Sequence, residues 1–367
     1  MNGNIKLVDY KTLSVQKKLF KDIDLKDSFF ESLRKDYESF DSWFLSKSNE
    51  KAYVLFGESG ICAFLFLKVE NEEESYKDIN PSFPPLRRLK VGTFKVSATG
   101  QRLGERFLKI IFDNALCNNV EEIYVTIFDR SDEQKHLISL LEDWGFKEDG
   151  LKSSGEKVYT RKIIQPMNCS DPRKSYPIVD LKSNAYITPI YPEYHTNLFP
   201  DSILNTESPL DFIESQAHRN SIEKIFISQS LDRNLQKGDI IFFYRTAEEG
   251  KPAYYNAVVT TVAVVTDVFD GIKSESDFIK LCKNRTVLTE SELKKWWNGK
   301  QIKPFIVKFL QIASFPHRVT RGQLIDAKFP SIKNGPKEYG PRGFVKITTN
   351  EVNKLIEMSR LDRRIFI

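Results

Sequence analysis

Between Phe94 and Arg106 the chain reads Phe-Lys-Val-Ser-Ala-Thr-Gly-Gln-Arg-Leu-Gly-Glu-Arg, and the mostly apolar run Phe107 to Ala115 follows. A strand that breaks at Ala98-Thr99-Gly100 and restarts as a helix leaves its first-turn N–H groups without intrahelical acceptors. Those donors, the positive end of the helix dipole and the guanidinium groups of Arg102 and Arg106 together suit a phosphate. Gly104, which has no Cβ, permits close approach of a ligand to the backbone. The chemistry predicted is the holding of a phosphorylated ligand at a strand-to-helix turn. The plain alternative is that Gly104 only starts a core helix.

The elements that must position this turn follow from periodicity. Residues 14–46 place Leu19, Phe20, Ile23, Phe29, Phe30, Leu33, Phe40, Trp43 and Phe44 at three- and four-residue steps, which predicts one or two amphipathic helices. Ala52 to Val69 reads as a β-hairpin around Gly57 to Gly60. An acidic stretch, Glu70 to Asp78, and a loop, Pro81 to Pro85, then lead to a strand from Leu89 to Val96. After the helix, Glu122 to Phe128 reads as a strand. Asp132 is placed to cap a following helix that Gly145 closes, and Lys157 to Ile163 reads as a last strand. The centre of this half is a β-turn-α-β-α unit.

On those residues the first half resembles the GNAT N-acetyltransferases, which bind acetyl-CoA. Their phosphate loop reads Gln or Arg, two variable residues, Gly, one variable residue, then Gly or Ala. Here Gln101-Arg102-Leu103-Gly104-Glu105-Arg106 matches except at its last position, and Leu141-Glu142-Asp143-Trp144-Gly145-Phe146 resembles a Gly-Phe ending common in the family. The resemblance implies that backbone groups of Phe94, Lys95 and Val96 hold the pantetheine arm. It implies that Gln101, Arg102, Leu103, Gly104, Glu105 and Arg106 hold the pyrophosphate, with Gln134 in the place of a frequent asparagine. Arg106 either sets a cation beside the diphosphate or crowds it. The tyrosine that often reprotonates the thiolate is replaced by Leu141, and no glutamate precedes the loop in Leu89-Lys90-Val91-Gly92-Thr93. The remaining polar candidates at the expected active end are Tyr124, Asp129, Ser131 and His136. Of the catalytic set Asp129, Ser131 and His136, the imidazole has the ordinary pKa closest to neutral pH. An exposed helical histidine is the plain alternative.

Composition bounds the rest. The 367 residues suffice for two cores, and 40% hydrophobic with 29% charged residues describes a water-exposed globular chain. The longest apolar run, Ile61 to Leu67, is far short of the ~20 residues that span a bilayer. No hydrophobic segment follows a basic one at the N-terminus, so no signal peptide is read and no membrane partner is expected. Cys62, Cys117, Cys169 and Cys282 lack paired spacing, which points away from a disulfide framework and from a zinc site; no metal is expected. The expected location is the cytoplasm. Residues 1–170 carry 26 Lys+Arg against 27 Asp+Glu, and residues 171–367 carry 29 against 23, so the net charge of +5 belongs to the second half. That surplus fits either a solvated surface or an RNA or nucleotide partner.

Residues 165–183 hold three prolines and little periodicity and read as a linker. Short β-rich segments follow: Ala185 to Ile190, Lys224 to Ser228, Asp239 to Tyr244, Ala257 to Phe269 and Phe305 to Ile312. Helical stretches are read near Pro209 to His218 and Glu290 to Trp297. The phrase Leu235-Gln236-Lys237-Gly238-Asp239 feeding Ile240 to Arg245 resembles the PUA-like barrels, the superfamily of PUA, ASCH and EVE domains. Many such barrels bind RNA or modified bases with aromatic and basic side chains. Carried over, the candidates are Phe243, Tyr244, Arg245, Trp296 and Trp297, with Tyr244 and Arg245 as the nucleic-acid-binding pair. Aromatic strand residues are otherwise core. Lys333, Lys337, Arg342, Lys346, Arg360, Arg363 and Arg364 form a basic tail.

The expected fold class is α/β (α+β): a GNAT-like mixed sheet flanked by helices over 1–164, a linker over 165–183, and a PUA-like β-barrel over 184–367. The expected function is acetyl transfer from acetyl-CoA to an amine, targeted by the second domain, with a protein partner possible. The alternative is an RNA- or modified-nucleotide-binding protein with a degenerate transferase half, or a member of a toxin–antitoxin or defence pair.

Overall fold

A computed structural model describes residues 5–10, 14–97, 100–168, 170–212, 216–299, 302–332 and 340–367. The chain divides into two units, one ending at Ile163 and the next beginning at Ile164.

In the first unit β1 (Gln16–Leu19), α1 (Glu31–Asp36) and α2 (Phe40–Ser46) precede the hairpin β2 (Lys51–Gly57) and β3 (Gly60–Glu70). The short β4 (Ile79–Asn80) is followed by β5 (Arg88–Val96), α3 (Leu103–Cys117) and β6 (Glu122–Ile127). Then come α4 (Asp132–Asp143), β7 (Lys147–Lys152) and β8 (Lys157–Lys162). The strands form one mixed sheet in the order β1-β2-β3-β5-β6-β8-β7-β4. β5 and β6 run parallel, as a strand–helix–strand crossover requires, and their other neighbours pair antiparallel. α3 is buried nearly all round: Leu103, Phe107, Leu108, Ile110, Ile111, Phe112 and Ala115 are buried, and so are Glu105, Arg106, Lys109 and Asn114.

Three expectations are corrected here. Residues 14–46 do not form long helices: they give β1, two 3₁₀ turns and the six- and seven-residue α1 and α2. Their aromatic spacing serves a cluster rather than a stripe. Phe20, Phe29, Phe30, Phe40 and Phe44 pack with Phe64 and Phe66 of β3. Asp27 fixes the turn by accepting hydrogen bonds from the N–H groups of Phe29 (2.8 Å) and Ile61 (3.0 Å). Second, Ser131 caps α4 and Asp132 does not, because Ser131 and Gln134 form a reciprocal capping box. Third, residues 165–183 are not a loose tether. Tyr176, Ile178 and Val179 are buried in the second unit, and Val179 bridges to Phe366.

The second unit begins with β9 (Ala185–Ile190), α5 (Pro192–Leu198), α6 (Ala217–Asn220), β10 (Glu223–Ser228) and β11 (Ile240–Arg245). It continues through α7 (Ala253–Asn256), β12 (Val258–Phe269), α8 (Glu275–Cys282), α9 (Glu290–Asn298) and β13 (Phe305–Thr320). It ends in α10 (Arg321–Asp326), β14 (Val345–Ile347) and α11 (Thr349–Ser359). Its mixed sheet has the order β10-β13-β12-β11-β9-β14, with β9 and β11 parallel. Three register shifts between the long strands β12 and β13 bend and twist this sheet. Phe199, Phe243, Phe305, Phe309 and Phe344 fill its main core.

Candidate active site

The site is built on one irregularity in β5. β3 accompanies β5 along its length, from Ala63↔Val96 to Glu70↔Arg88, but Phe66 pairs with Thr93 and Leu67 with Val91, which leaves Gly92 as an extra, bulged residue. A Cβ at Gly92 would lie 2.7 Å from Cδ1 of Phe66, so the bulge needs glycine. On the other side, β6 pairs with β5 only from Arg88↔Glu122 to Val91↔Val125. Beyond the bulge β5 stays with β3, and β6 stays with β8 as far as Ile127↔Lys157. The two central strands therefore part after Val91. Residues 92–96 present an interior strand edge to the gap, and backbone groups on such an edge bond readily to an amide-bearing ligand.

The predicted cofactor residues divide by what they face. Phe94 stacks on Phe107 of α3, with ring centroids 6.1 Å apart. Lys95 turns the other way: its ammonium lies 4.5 Å from the Phe29 ring centroid, donates to the Phe29 carbonyl and meets Ser32 Oγ at 2.8 Å. Burial there pulls its pKa below the ordinary lysine value. Val96 ends the strand. Ala98 and Thr99 of the predicted turn lie outside the described residues. Gly100 has φ +81° with open space about it, and Gln101 is exposed. Arg102, the N-cap of α3, adopts a left-handed conformation and pairs with Glu105 at 3.2 Å. Leu103 is buried, and the first-turn amides of Leu103 and Gly104 have no acceptor within the helix. A Cβ at Gly104 would come within 2.8 Å of Leu140 Cδ2, so this glycine also serves helix packing against α4. Arg106 is buried, with its guanidinium 4.2 Å from the Tyr10 ring centroid.

The expected catalytic residues are not brought together. Asp129 is exposed and pairs with Lys157 at 3.2 Å. Ser131 accepts from the Gln134 amide, and Gln134 Oε1 accepts from the N–H groups of Arg130 (2.8 Å) and Ser131 (3.0 Å). Gln134 Nε2 donates to Asp36 at 2.8 Å, so both ends of its side chain are engaged in the α4 cap. His136 is exposed on α4, and Leu141 is fully buried.

Sequence reasoning missed two buried carboxylates on the face of β6 that carries Tyr124 and Thr126. Glu70 accepts from Tyr124 at 2.6 Å and Tyr76 at 3.1 Å, and pairs with Lys68 at 3.0 Å. Burial pushes its carboxyl up, but Lys90, Tyr124 and Lys68 together outweigh it and hold the pKa below the usual value. Nearer the gap, Glu156, in the turn between β7 and β8, accepts from Tyr37 (3.1 Å), Thr126 (3.1 Å) and Ser154 (2.7 Å). Lys152 lies 3.4 Å away. Burial again opposes ionisation, and the hydrogen bonds and Lys152 outweigh it, so Glu156 also titrates below its ordinary value. Burial beside this carboxylate raises the Tyr37 pKa, which keeps the phenol protonated. Only the glutamate types were visible in sequence. Their convergence depends on a strand register and a hairpin turn that no local pattern encodes.

In the second unit Tyr244 and Arg245, expected as a nucleic-acid surface, are both buried. Arg245 pairs with Glu207 at 3.3 Å and Glu248 at 3.1 Å. Glu207 also accepts from Thr196, which lies 3.1 Å from Nδ1 of the buried His195. Phe243 and Trp297 are core residues of this unit, and Trp296 packs partly buried beside Trp297. Lys333 and Lys337 lie outside the described residues. One sequence expectation is corrected here: a Gly-x-Lys-x-x-x-x-Arg spacing of the ASCH type, read as missing from this chain, is present at Gly335, Lys337 and Arg342.

Solved structures similar to this chain are of two kinds. An ASCH protein from Zymomonas mobilis matches at a TM-score of 0.32 and 11% identity, over 47% of this chain and 94% of that one. The PaiA N-acetyltransferase of Thermoplasma acidophilum, solved with coenzyme A, matches at 0.29 and 14%, over 41% of this chain and 99% of that one. The ribosomal-protein-S18-alanine N-acetyltransferase of Escherichia coli matches at 0.27 and 13%, over 41% and 96%. No protein-family model and no curated protein matches the sequence. Among the described residues no helix is long and apolar enough to cross a membrane, and no group of three or more His, Cys, Asp or Glu is placed to hold a metal ion.

Proposed function

We propose that residues 1–164 bind acetyl-CoA in the gap between β5 and β6 and transfer its acetyl group to an amine. The observation that carries this reading is the parting of the two central parallel strands at the Gly92 bulge. Pantetheine is a chain of amides, and an interior strand edge is the surface that pairs with amides without distorting the sheet. The residues fit the cofactor at both ends. Backbone groups of Phe94, Lys95 and Val96 take the pantetheine. The first-turn amides at Leu103 and Gly104, with the exposed guanidinium of Arg102, take the pyrophosphate. Holding the thioester against the acceptor supplies much of the rate by removing translational freedom. Residues 184–367 form the second, PUA-like part of the protein.

Amide hydrogen exchange tests the site. Acetyl-CoA slows exchange in a segment covering 92–96 and in the first turn of α3, and leaves β10 to β13 unchanged. Protection confined to the second unit, or none in protein saturated with ligand, overturns the assignment.

A further inference from the structure

We propose that Tyr37 and Glu156 form the proton path of the transfer, with Tyr37 meeting an incoming primary amine and Glu156 taking its proton through the phenol. This rests on the acyltransferase reading above. Three separate elements bring the pair to the gap: Tyr37 ends α1, Thr126 lies on β6 one residue past its last pairing with β5, and Glu156 sits in the β7–β8 turn. β5 and β6 part after Val91↔Val125, and Thr126 is the first β6 residue beyond that pairing, so its contact with Glu156 lies at the gap proposed to hold the thioester. The Tyr37 ring packs on Phe128 with centroids 5.4 Å apart, which sets the direction of its hydroxyl. That hydroxyl is 3.1 Å from Glu156 Oε1. Tyr37 is half-buried and Glu156 buried, so an acceptor meets the phenol before the carboxylate. Thr126 and Ser154 fix the carboxylate, and Lys152 keeps it ionised.

The step balances without another reactant. The amine nitrogen attacks the thioester carbonyl carbon and forms the C–N bond. Its N–H proton passes to Tyr37 Oη as the phenolic proton passes to Glu156 Oε1. The C–S bond breaks with its electron pair on sulfur, and the thiolate and Glu156 then equilibrate with solvent, giving amide and free thiol.

The test uses the full chain, acetyl-CoA, and three amines (tyramine, spermidine and a short lysine peptide), with CoA release as the readout. In Glu156→Gln and Tyr37→Phe, kcat falls ~100-fold, the usual scale of proton transfer by a positioned group, while the Kd for acetyl-CoA stays as in the parent. The double variant falls no further than either single one, because the two act as a unit. Unchanged turnover in Glu156→Gln, or additive losses in the double variant, overturns the relay while leaving the acyltransferase reading intact. Binding of acetyl-CoA without transfer to any of the three amines also overturns it. Failure to bind acetyl-CoA defeats the acyltransferase reading itself, and the relay falls with it.

Discussion

Arg106 and Gly104 sit two residues apart in the first turn of α3 and do opposite things. The Arg106 side chain is buried against Tyr10, which favours a packing role for it over a phosphate contact. Arg106→Ala removes that packing and is expected to cost about 1–3 kcal/mol of stability, seen as a lower denaturant midpoint, with acetyl-CoA affinity unchanged in the folded protein. In the proposed site Gly104 is the residue that a phosphate approaches. Gly104→Ala adds one methyl group against the flexible end of Leu140 and keeps binding. Gly104→Glu puts a like charge beside the pyrophosphate and weakens acetyl-CoA at least ~10-fold by fluorescence titration, about 1.4 kcal/mol or more. The sequence pattern marks the strand-to-helix turn itself, which β5 and α3 flank in the structure. It does not show that Arg106 is buried against Tyr10, because that partner is distant along the chain.

At the scale of elements, local pattern was legible where a short run rich in apolar and β-branched residues is bounded by charged or turn residues. The β2–β3 hairpin, β5, β6 and β9 all stand within a few residues of their expected bounds. β7 was invisible, since Lys-Glu-Asp-Gly-Leu-Lys has no apolar alternation and its residues are mostly exposed. The region 14–46 misled because aromatic residues at helical spacing also suit a cluster closed by turns, and Asp27 bonding to Ile61 is a long-range choice. The Gly92 bulge was equally hidden; a glycine in a strand signals a break without saying which neighbour is lost. Its role gives a direct expectation. Deleting Gly92 restores register along β5, allows β5 and β6 to pair further, and closes the gap. The variant is expected to fold, by circular dichroism, and to lose acetyl-CoA binding. Retained binding would show that the gap does not depend on the bulge.

At the scale of the whole molecule, composition was enough to indicate two cores, and the boundary between them falls at Ile163 and Ile164. Prolines in 165–183 suggested a tether, yet that stretch supplies buried Tyr176, Ile178 and Val179 and pairs with the C-terminus, Val179 N–H donating to Ile365 and Ile367 N–H to Val179. A fragment starting at Ile164 is therefore expected to melt cooperatively. One starting at Asn184 exposes the surface those three side chains covered. At about 1.5–3 kcal/mol for each, that loss is comparable to the whole stability of a domain, so this fragment melts far lower or not cooperatively. The central claim concerns the first unit, and calorimetric titration of the full chain with acetyl-CoA tests it most directly. The account predicts saturable binding at one site per chain, weakened at least ~10-fold in Gly104→Glu. Absence of binding to folded protein at millimolar acetyl-CoA would contradict it.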